Sequence, residues 1–183
     1  MPKFLKLFVL FIIVFFTSCT NLRFYNVKTS GVLYQGKLWW KLVVIQNKKK
    51  KVNGGYAWFC TSPEFLVVEL KTPFNSELAV VSWKRKNPNK VILYDLFHKR
   101  KVTFLIHNKK LKNLPLYFLG KKGEKVSFSL FKKPVLYTFL KGKGEIKGEN
   151  FDIVWKFKSI KQSKECKVPL PETKDFKDLV LTF

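Results

Sequence analysis

The sequence predicts a mainly β protein built around one antiparallel sheet or barrel, and three observations support this. Apolar residues make up 46% of the 183 residues, which argues against disorder and is enough for one domain with a sizeable core. Short segments alternate between apolar and polar residues with a period of two. Turn residues such as Asn87-Pro88-Asn89 separate these segments at near-regular intervals, a spacing typical of antiparallel sheets and barrels.

Residues 1–18 have the features of a secretory signal peptide. Lys3 and Lys6 give the segment a basic start, and an unbroken apolar run follows from Leu7 to Phe16. A membrane-spanning helix needs about 20 apolar residues, so this shorter run is typical of the hydrophobic region of a signal peptide. We therefore expect these residues to be absent from the fold.

The apolar run ends in Thr17-Ser18-Cys19. Small residues before a cysteine resemble the bacterial lipobox, in which the cysteine thiol receives a diacylglycerol and the cysteine becomes the new N-terminus. We expect a lipid anchor at Cys19, a lipidated tether over residues 19–30 and a single folded domain over residues 31–183. An ordinary signal peptide with an incidental cysteine, or an uncleaved anchor, are the alternatives.

Six strands are predicted in the first half of this domain. They cover Gly31–Gln46, Val52–Thr61, 65–71, 77–84 and two segments that begin at Val91 and Val102. In the second strand Tyr56, Trp58 and Cys60 share a parity, which we assign to the core side. The lysine run Lys48–Lys51 is expected to form a solvated hairpin tip.

The second half is predicted to begin with a short helix and to return to strands. The helix is expected within Leu111–Leu119, with Pro115 limiting its length. The predicted strands are Val126–Phe131, Val135–Leu140, Phe151–Phe157 and Leu179–Phe183. A polar connection, Lys164–Lys177, precedes the last of them.

The break between the third and fourth strands carries an unusual residue. A turn tip normally carries a small or polar side chain, yet this one contains Phe74. The side chain is either folded back onto the sheet or left exposed for a partner. Because the Pro73 ring limits how the chain turns inward, we favour a projecting Phe74, with Lys71 placed at lipid headgroups.

The formal net charge of +24 comes almost entirely from lysine, since Arg23, Arg85 and Arg100 are the only arginines. Arginine supplies the planar fork that reads phosphates and base edges, so this balance is only weak support for specific nucleic-acid recognition, and we expect no nucleic-acid partner. Codon bias, the solubility of a sheet that is apolar on one side, and attraction to an anionic membrane remain as explanations.

No motif of an active site is present, and we expect neither an enzyme nor a cofactor or metal. His98 and His107 lack the cysteine or carboxylate spacing of a metal site. Asp95 and Asp152 are isolated acids on strand patterns, expected to face solvent.

Two cysteines remain apart from Cys19. Cys60 and Cys166 either form a disulfide, as leftover thiols in exported proteins do, or Cys60 is a small buried hydrophobe. The core parity assigned to Cys60 favours the buried thiol.

The order of these features resembles the outer-membrane lipoprotein receptor LolB family. The matching segments are the lipobox, Gln35-Gly36-Lys37-Leu38, Gly55-Tyr56-Ala57-Trp58, and the strand from Leu66 that ends in Thr72-Pro73-Phe74-Asn75. The resemblance is best over residues 31–95 and weaker around Asp152–Phe157, the proline-bearing connection and the closing strand.

This resemblance implies a half-closed antiparallel barrel of about ten strands, lidded by a short helix over an apolar cavity. Such a protein accepts acylated lipoproteins, or lipid, from a periplasmic LolA-like carrier and inserts them into the outer membrane. In this family a residue other than aspartate after the anchor, here Thr20, favours outer-membrane delivery. Pro73 and Phe74 correspond to the family's membrane-insertion loop. We expect a lipid-anchored monomer on the periplasmic face.

The apolar parity of the early strands predicts which side chains line the groove. They are Tyr34, Leu38, Trp40, Trp58, Leu66, Val68, Leu70, Val81 and Leu93. A non-transporting structural lipoprotein, whose lysines hold anionic lipid or cell-wall polymer, is the alternative from another class. A lipid-anchored hydrolase is a third.

Overall fold

The computed structural model describes residues 23–24, 31–46, 49–106, 112–121, 125–130 and 133–182. Their elements are, in chain order, β1 Arg23–Phe24, β2 Leu33–Gln46, β3 Lys49–Ser62, β4 Phe65–Lys71, β5 Glu77–Lys84, β6 Lys90–Asp95, β7 Arg100–Leu105, α1 Leu114–Phe118, β8 Lys125–Leu130, β9 Lys133–Leu140, β10 Lys143–Lys147, β11 Phe151–Ser163, β12 Pro169–Leu170 and β13 Lys177–Thr182. The predicted signal peptide and Cys19 lie outside the described residues.

One sheet of 11 strands forms most of the described chain, in the order β13-β7-β6-β5-β4-β3-β2-β11-β10-β9-β8. The prediction of a mainly β protein is confirmed. The sheet is open, because β13 and β8 are its two edges and it does not close into a barrel. A separate two-stranded sheet pairs β1 with β12.

The predicted six-strand meander is confirmed as β2 to β7, each strand antiparallel to the next. Its strand ends differ slightly from the prediction. Lys49, Lys50 and Lys51 are exposed at the end of the β2–β3 hairpin, as predicted, but they pair with the end of β2 and belong to β3. The pairing therefore extends further into the lysine run than apolar content alone indicates.

The strand β10 was not predicted. Its sequence Lys-Gly-Glu-Ile-Lys contains one large apolar residue, Ile146, so alternation gives no signal. The turn that leads into it is formed by Lys141 and Gly142, whose φ angles are 49° and 76°. Two consecutive positive φ values match the twist of a tight hairpin, and this turn sets the β9–β10 register.

The strand β11 is longer than predicted because it pairs with β2 as far as Ser163. A register shift between Phe157 and Ser159 interrupts this pairing. At the shift, a Cβ on Gly36 would collide with the Ser159 carbonyl oxygen. Only glycine permits so close a backbone approach, which explains the glycine in the middle of β2.

The helix α1 is shorter than the predicted 111–119 segment, and Leu111 lies outside the described residues. Pro115 occupies the first turn of α1, where its missing N–H costs nothing, so it begins the helix instead of limiting it. Leu119 caps the other end and returns its N–H to the Pro115 carbonyl.

The last strand is parallel to its neighbour β7, in contrast to the antiparallel arrangement predicted throughout. The connection from β11 to β13 crosses one face of the sheet from the end where β11 stops to the end where β7 starts. It is less polar than predicted, since Cys166 and Val168 are buried within it. Cys166 forms a disulfide with Cys60, with the two Cα atoms 5.7 Å apart.

Both faces of the sheet therefore carry a buried cluster. The helix face is the side that carries Leu38, Phe59 and Trp155, on which α1 packs. The disulfide face is the opposite side, where the connection packs on a second buried cluster of Leu33, Cys60, Phe65, Val67, Val80, Cys166 and Val168. Cys60 is buried as predicted, but in a disulfide instead of as a free thiol.

Candidate functional site

The helix face collects all of the predicted groove residues except Trp58. Strand register places Leu38 opposite Ala57 and Phe157, so the core parity of β3 is that of Ala57 and Phe59. The core parity assigned to Trp58 is therefore wrong. Trp58 is on the disulfide face with 41% of its surface exposed, and the Lys37 ammonium sits 4.1 Å from its ring centre.

The residues on the helix face fall into two groups by burial. Leu38, Trp40, Leu66 and Val68 belong to the buried cluster beside α1, and Leu38 is only 1% exposed. The remaining groove residues of β4 to β6 are half-buried. They belong to a continuous apolar strip of half-buried side chains, made of Leu70, Val81, Val91, Leu93, Val102 and Phe104.

The apolar strip runs outward from the middle of the sheet towards its edge. Leu179 and Leu181 continue it on the edge strand β13, beside Val102 and Phe104. Leu179 is exposed. Val91, Val102 and Phe104 were not predicted to line the groove, although Val91 shares the parity of Leu93 and the alternation of Val102 and Phe104 was a usable signal.

The helix α1 borders the apolar strip and is held firmly against the sheet. Tyr137 donates its hydroxyl proton to the Tyr117 carbonyl, and Trp155 Nε1 donates to the Phe118 carbonyl at 3.3 Å. The Phe118 ring lies edge-on to Phe59, with 5.3 Å between centroids, and stacks on Trp155. Burial raises the pKa of Tyr137 to about 12, so this anchor stays protonated at physiological pH.

Tyr34, the remaining predicted groove residue, lies at the margin of the helix face. The Lys121 ammonium, just beyond α1, donates to the Tyr34 hydroxyl at 2.7 Å and sits 4.0 Å from its ring centre. This hydrogen bond lowers the pKa of Tyr34. Tyr34 therefore lies at the border of the helix face, in contact with a residue that follows α1.

The loop between β4 and β5 carries Phe74 with 92% of its surface exposed. Phe74 thus projects, as favoured from the sequence, and does not fold back. The loop has a defined shape, since Thr72 N–H donates to the Ser76 carbonyl at 2.9 Å and Asn75 N–H donates to the Thr72 carbonyl at 3.0 Å. Asn75 adopts a positive φ of 64°, which asparagine tolerates better than most residues.

The base of this loop is anchored by Trp40 and Gly55. Trp40 Nε1 donates to the carbonyls of Tyr56 and Lys71, at 3.0 and 3.3 Å. A Cβ on Gly55 would overlap the Lys71 carbonyl oxygen, so glycine is needed where the loop base crosses β3. Trp40, Gly55 and Tyr56 therefore position the loop that carries Phe74.

The expected placement of Lys71 at lipid headgroups is wrong. Lys71 Nζ forms an ion pair with Glu69 Oε1 at 3.2 Å, and the Lys71 side chain is largely buried. Burial of Glu69 is the main cause that raises the pKa of its carboxyl group, Lys71 opposes the shift, and Glu77 adds to it. Lys71 thus compensates a buried carboxylate and is not available to a membrane.

A cavity of about 600 Å³ lies at the opposite end of the sheet from Phe74. It is lined by Pro63, Arg85, Pro88, Lys112, Asn113, Pro115 and Leu116. None of the predicted groove residues lines this cavity. Within the described ranges, no helix is long and apolar enough to cross a membrane.

The described residues bring together an apolar strip, a helix at its border and an exposed phenylalanine at the end of strands that carry the strip. This arrangement is suited to holding an apolar chain and contacting an apolar phase, and it needs no reacting side chain. Neither a protein-family model nor a curated protein sequence matches this chain significantly.

Proposed function

We propose that the chain is a lipid-anchored outer-membrane protein that accepts acylated lipoproteins, or lipid, on the helix face and inserts them into the outer membrane. A diacylated Cys19 holds the protein on the periplasmic face, and a LolA-like carrier supplies the cargo. The protein acts as a monomer and performs no chemical step.

The apolar strip supports acyl-chain binding. Its six side chains are half-buried, so they form an apolar surface without being sealed inside the core. Each CH₂ group of an acyl chain removed from water on such a surface contributes about 0.8 kcal/mol. An open sheet with a helix over one face is also the arrangement that a half-closed, lidded barrel requires.

The projecting Phe74 carries the proposal. The apolar strip reaches Leu70 at the end of β4, and the loop with Phe74 begins directly beyond it. An exposed phenylalanine forgoes about 1.5–3 kcal/mol of burial in water, and it recovers this free energy by entering a bilayer. Cargo held on the strip is then released where the loop opens a path into lipid.

Export to an oxidising compartment is supported by the Cys60–Cys166 disulfide. Structural disulfides persist in the bacterial periplasm and are rare in the cytosol. The lipobox-like Thr17-Ser18-Cys19 agrees with the same compartment. Both features fit a protein that meets its cargo in the periplasm.

Binding of a fluorescent fatty acid to residues 20–183 tests the proposal, since this segment contains every described element. We expect Leu93→Glu to weaken probe binding about tenfold or more, because a carboxylate replaces apolar surface in the strip. Ile92→Glu is the matched control, since Ile92 is equally half-buried but faces the other way. Equal probe binding by the parent and both folded variants would refute the strip as the binding surface.

Leu38→Glu is a poor choice for this test. Leu38 is fully buried in the main cluster, so a charge there would unfold the protein before it reported on binding.

The lysine-rich surface favours one second candidate, a structural lipoprotein that holds an anionic polymer. Exposed lysines recur along β11, at Lys156, Lys158 and Lys161, and Lys156 faces away from the helix face. Such a protein needs no acyl-binding surface. Failure of the parent chain to bind the fatty-acid probe, together with salt-sensitive binding to an anionic cell-wall polymer, would favour this candidate.

A further inference from the structure

A second exposed phenylalanine lies at the same end of the sheet as Phe74. Phe97, in the turn between β6 and β7, has 82% of its surface exposed. Phe74 precedes β5 and Phe97 follows β6, and these two strands are neighbours in antiparallel pairing. The two aromatic tips therefore sit on adjacent connections of one sheet end.

Hydrogen bonds within the turn, to β5 and to the start of β13 hold the segment that carries Phe97. Asp95 accepts hydrogen bonds from His98 N–H at 3.1 Å and from His98 Nδ1 at 2.7 Å. Leu96 N–H donates to the Leu78 carbonyl of β5, and Lys177 N–H, at the start of β13, donates to the Lys99 carbonyl. Phe97 is thus exposed on a turn that hydrogen bonds hold in one conformation.

Electrostatics reinforce this turn. Burial opposes ionisation of Asp95, but the hydrogen bonds from His98 outweigh it and lower the pKa of the carboxyl group. The Phe97 ring lies edge-on to His98, with 4.9 Å between ring centroids. The ionised Asp95 accepts both hydrogen bonds from His98.

Cationic side chains lie at the same end of the sheet as the two aromatic tips. Lys49, Lys50 and Lys51 are exposed at the end of the β2–β3 hairpin, which extends in this direction. Lys99 and Arg100 follow Phe97 and are also exposed. Exposed aromatic rings and cations at one end of a sheet match the two layers of a membrane surface, the apolar acyl chains and the anionic headgroups.

We propose that this end of the sheet is a docking surface for anionic phospholipid bilayers, with Phe74 and Phe97 as two insertion points and Lys49–Lys51 as the headgroup contact. Two insertion points on one rigid sheet fix the orientation of the domain, whereas one point leaves it free to pivot. The inference concerns vesicle binding without cargo, so it stands or fails separately from acyl-chain transfer.

Sedimentation of residues 20–183 with vesicles tests the docking surface. The vesicles are phosphatidylcholine alone, or phosphatidylcholine and phosphatidylglycerol in equal parts. We expect Phe97→Glu to weaken binding to the anionic vesicles about tenfold or more, because an inserted aromatic side chain is lost. Leu140→Glu is the matched control, since Leu140 is also an exposed apolar residue but lies at the β9–β10 turn, which β3, β2 and β11 separate from β4 in the sheet.

The headgroup contact is tested by removing three charges at a time. Lys49, Lys50 and Lys51 are changed to Gln together, and Lys156, Lys158 and Lys161 are changed to Gln as the control with the same charge loss. We expect the first variant to lose about tenfold or more of its binding to anionic vesicles, and the control to lose much less. Binding by the parent should weaken as salt is raised.

Equal binding by Phe97→Glu and Leu140→Glu, with both folded, would overturn the second insertion point even if Phe74→Glu still blocked transfer. Equal losses for the two lysine variants would overturn the assignment of the headgroup contact to the β2–β3 hairpin. Failure of the parent to bind anionic vesicles would overturn the docking surface as a whole.

Discussion

Replacing Phe74 with glutamate should strongly reduce cargo delivery without altering stability. The Phe74 side chain is 92% exposed, so its replacement removes no core packing. The melting temperature should therefore stay within about 1 °C of the parent. Glutamate cannot recover the burial free energy of about 1.5–3 kcal/mol that phenylalanine gains in lipid. Transfer of a labelled lipopeptide to vesicles should therefore fall about 10- to 100-fold.

Two controls sharpen this prediction. Phe74→Leu keeps an apolar tip and should retain most of the transfer rate. Leu140→Glu introduces the same charge at the exposed β9–β10 turn, which β3, β2 and β11 separate from β4, and should leave transfer unchanged. A melting temperature for Phe74→Glu that falls by several degrees, or a transfer rate equal to that of the parent, contradicts the proposed role of the loop.

Removing the Cys60–Cys166 disulfide should lower stability strongly. The bridge closes a loop with a sequence separation of 106 residues and ties the β11–β13 connection to the disulfide face. A native disulfide of this kind contributes about 2–5 kcal/mol, which for a domain of this size corresponds to about 5–15 °C in melting temperature. The double variant Cys60→Ala with Cys166→Ala should show this loss.

Reduction supplies the matched comparison. A reductant should lower the melting temperature of the parent to near that of the double variant and leave the double variant unchanged. Reduction of the disulfide should also destabilise the turn that carries Phe97. The β11–β13 connection leads to Lys177, whose N–H donates to the Lys99 carbonyl in that turn. Equal melting temperatures for the oxidised and reduced parent would show that the bridge adds no stability.

The local pattern was sufficient to predict the meander from β2 to β7. In these strands turn residues and alternation point to the same boundaries. The projecting Phe74 was also predictable, because a proline before a large apolar residue in a turn limits inward packing. The exposure of Phe97 was not predicted, because no proline precedes it in the turn at His98.

Face assignment depends on pairing, which parity within one strand does not determine. Trp58 and Phe59 are both large and aromatic, so either parity of β3 could face the core. The register with β2 decides it, by placing Ala57 opposite Leu38. A one-residue change of register exchanges the two faces, and covering both faces with apolar residues removes the contrast that alternation needs.

The parallel strand β13 and the disulfide depend on the path of a long connection. Nothing local to Lys164–Lys177 shows that it crosses the sheet, because Cys166 and Val168 are the buried residues among those whose burial the structure describes there. Once Cys166 is joined to Cys60, the chain has to reach the far end of the sheet before it pairs with β7. The periodicity of apolar residues carries no information on such a long-range connection.

Mapping the contact sites of a bound acyl chain tests the central proposal most directly. A fatty acid with a photoreactive group at its methyl end is bound to residues 20–183 and irradiated, and the labelled peptides are identified by mass spectrometry. We predict labels on the apolar strip around Leu93 and Val102 and on α1, all of them lost when unlabelled lipopeptide competes. Labels confined to the disulfide face, or labels that persist under competition, would contradict acyl-chain binding on the helix face.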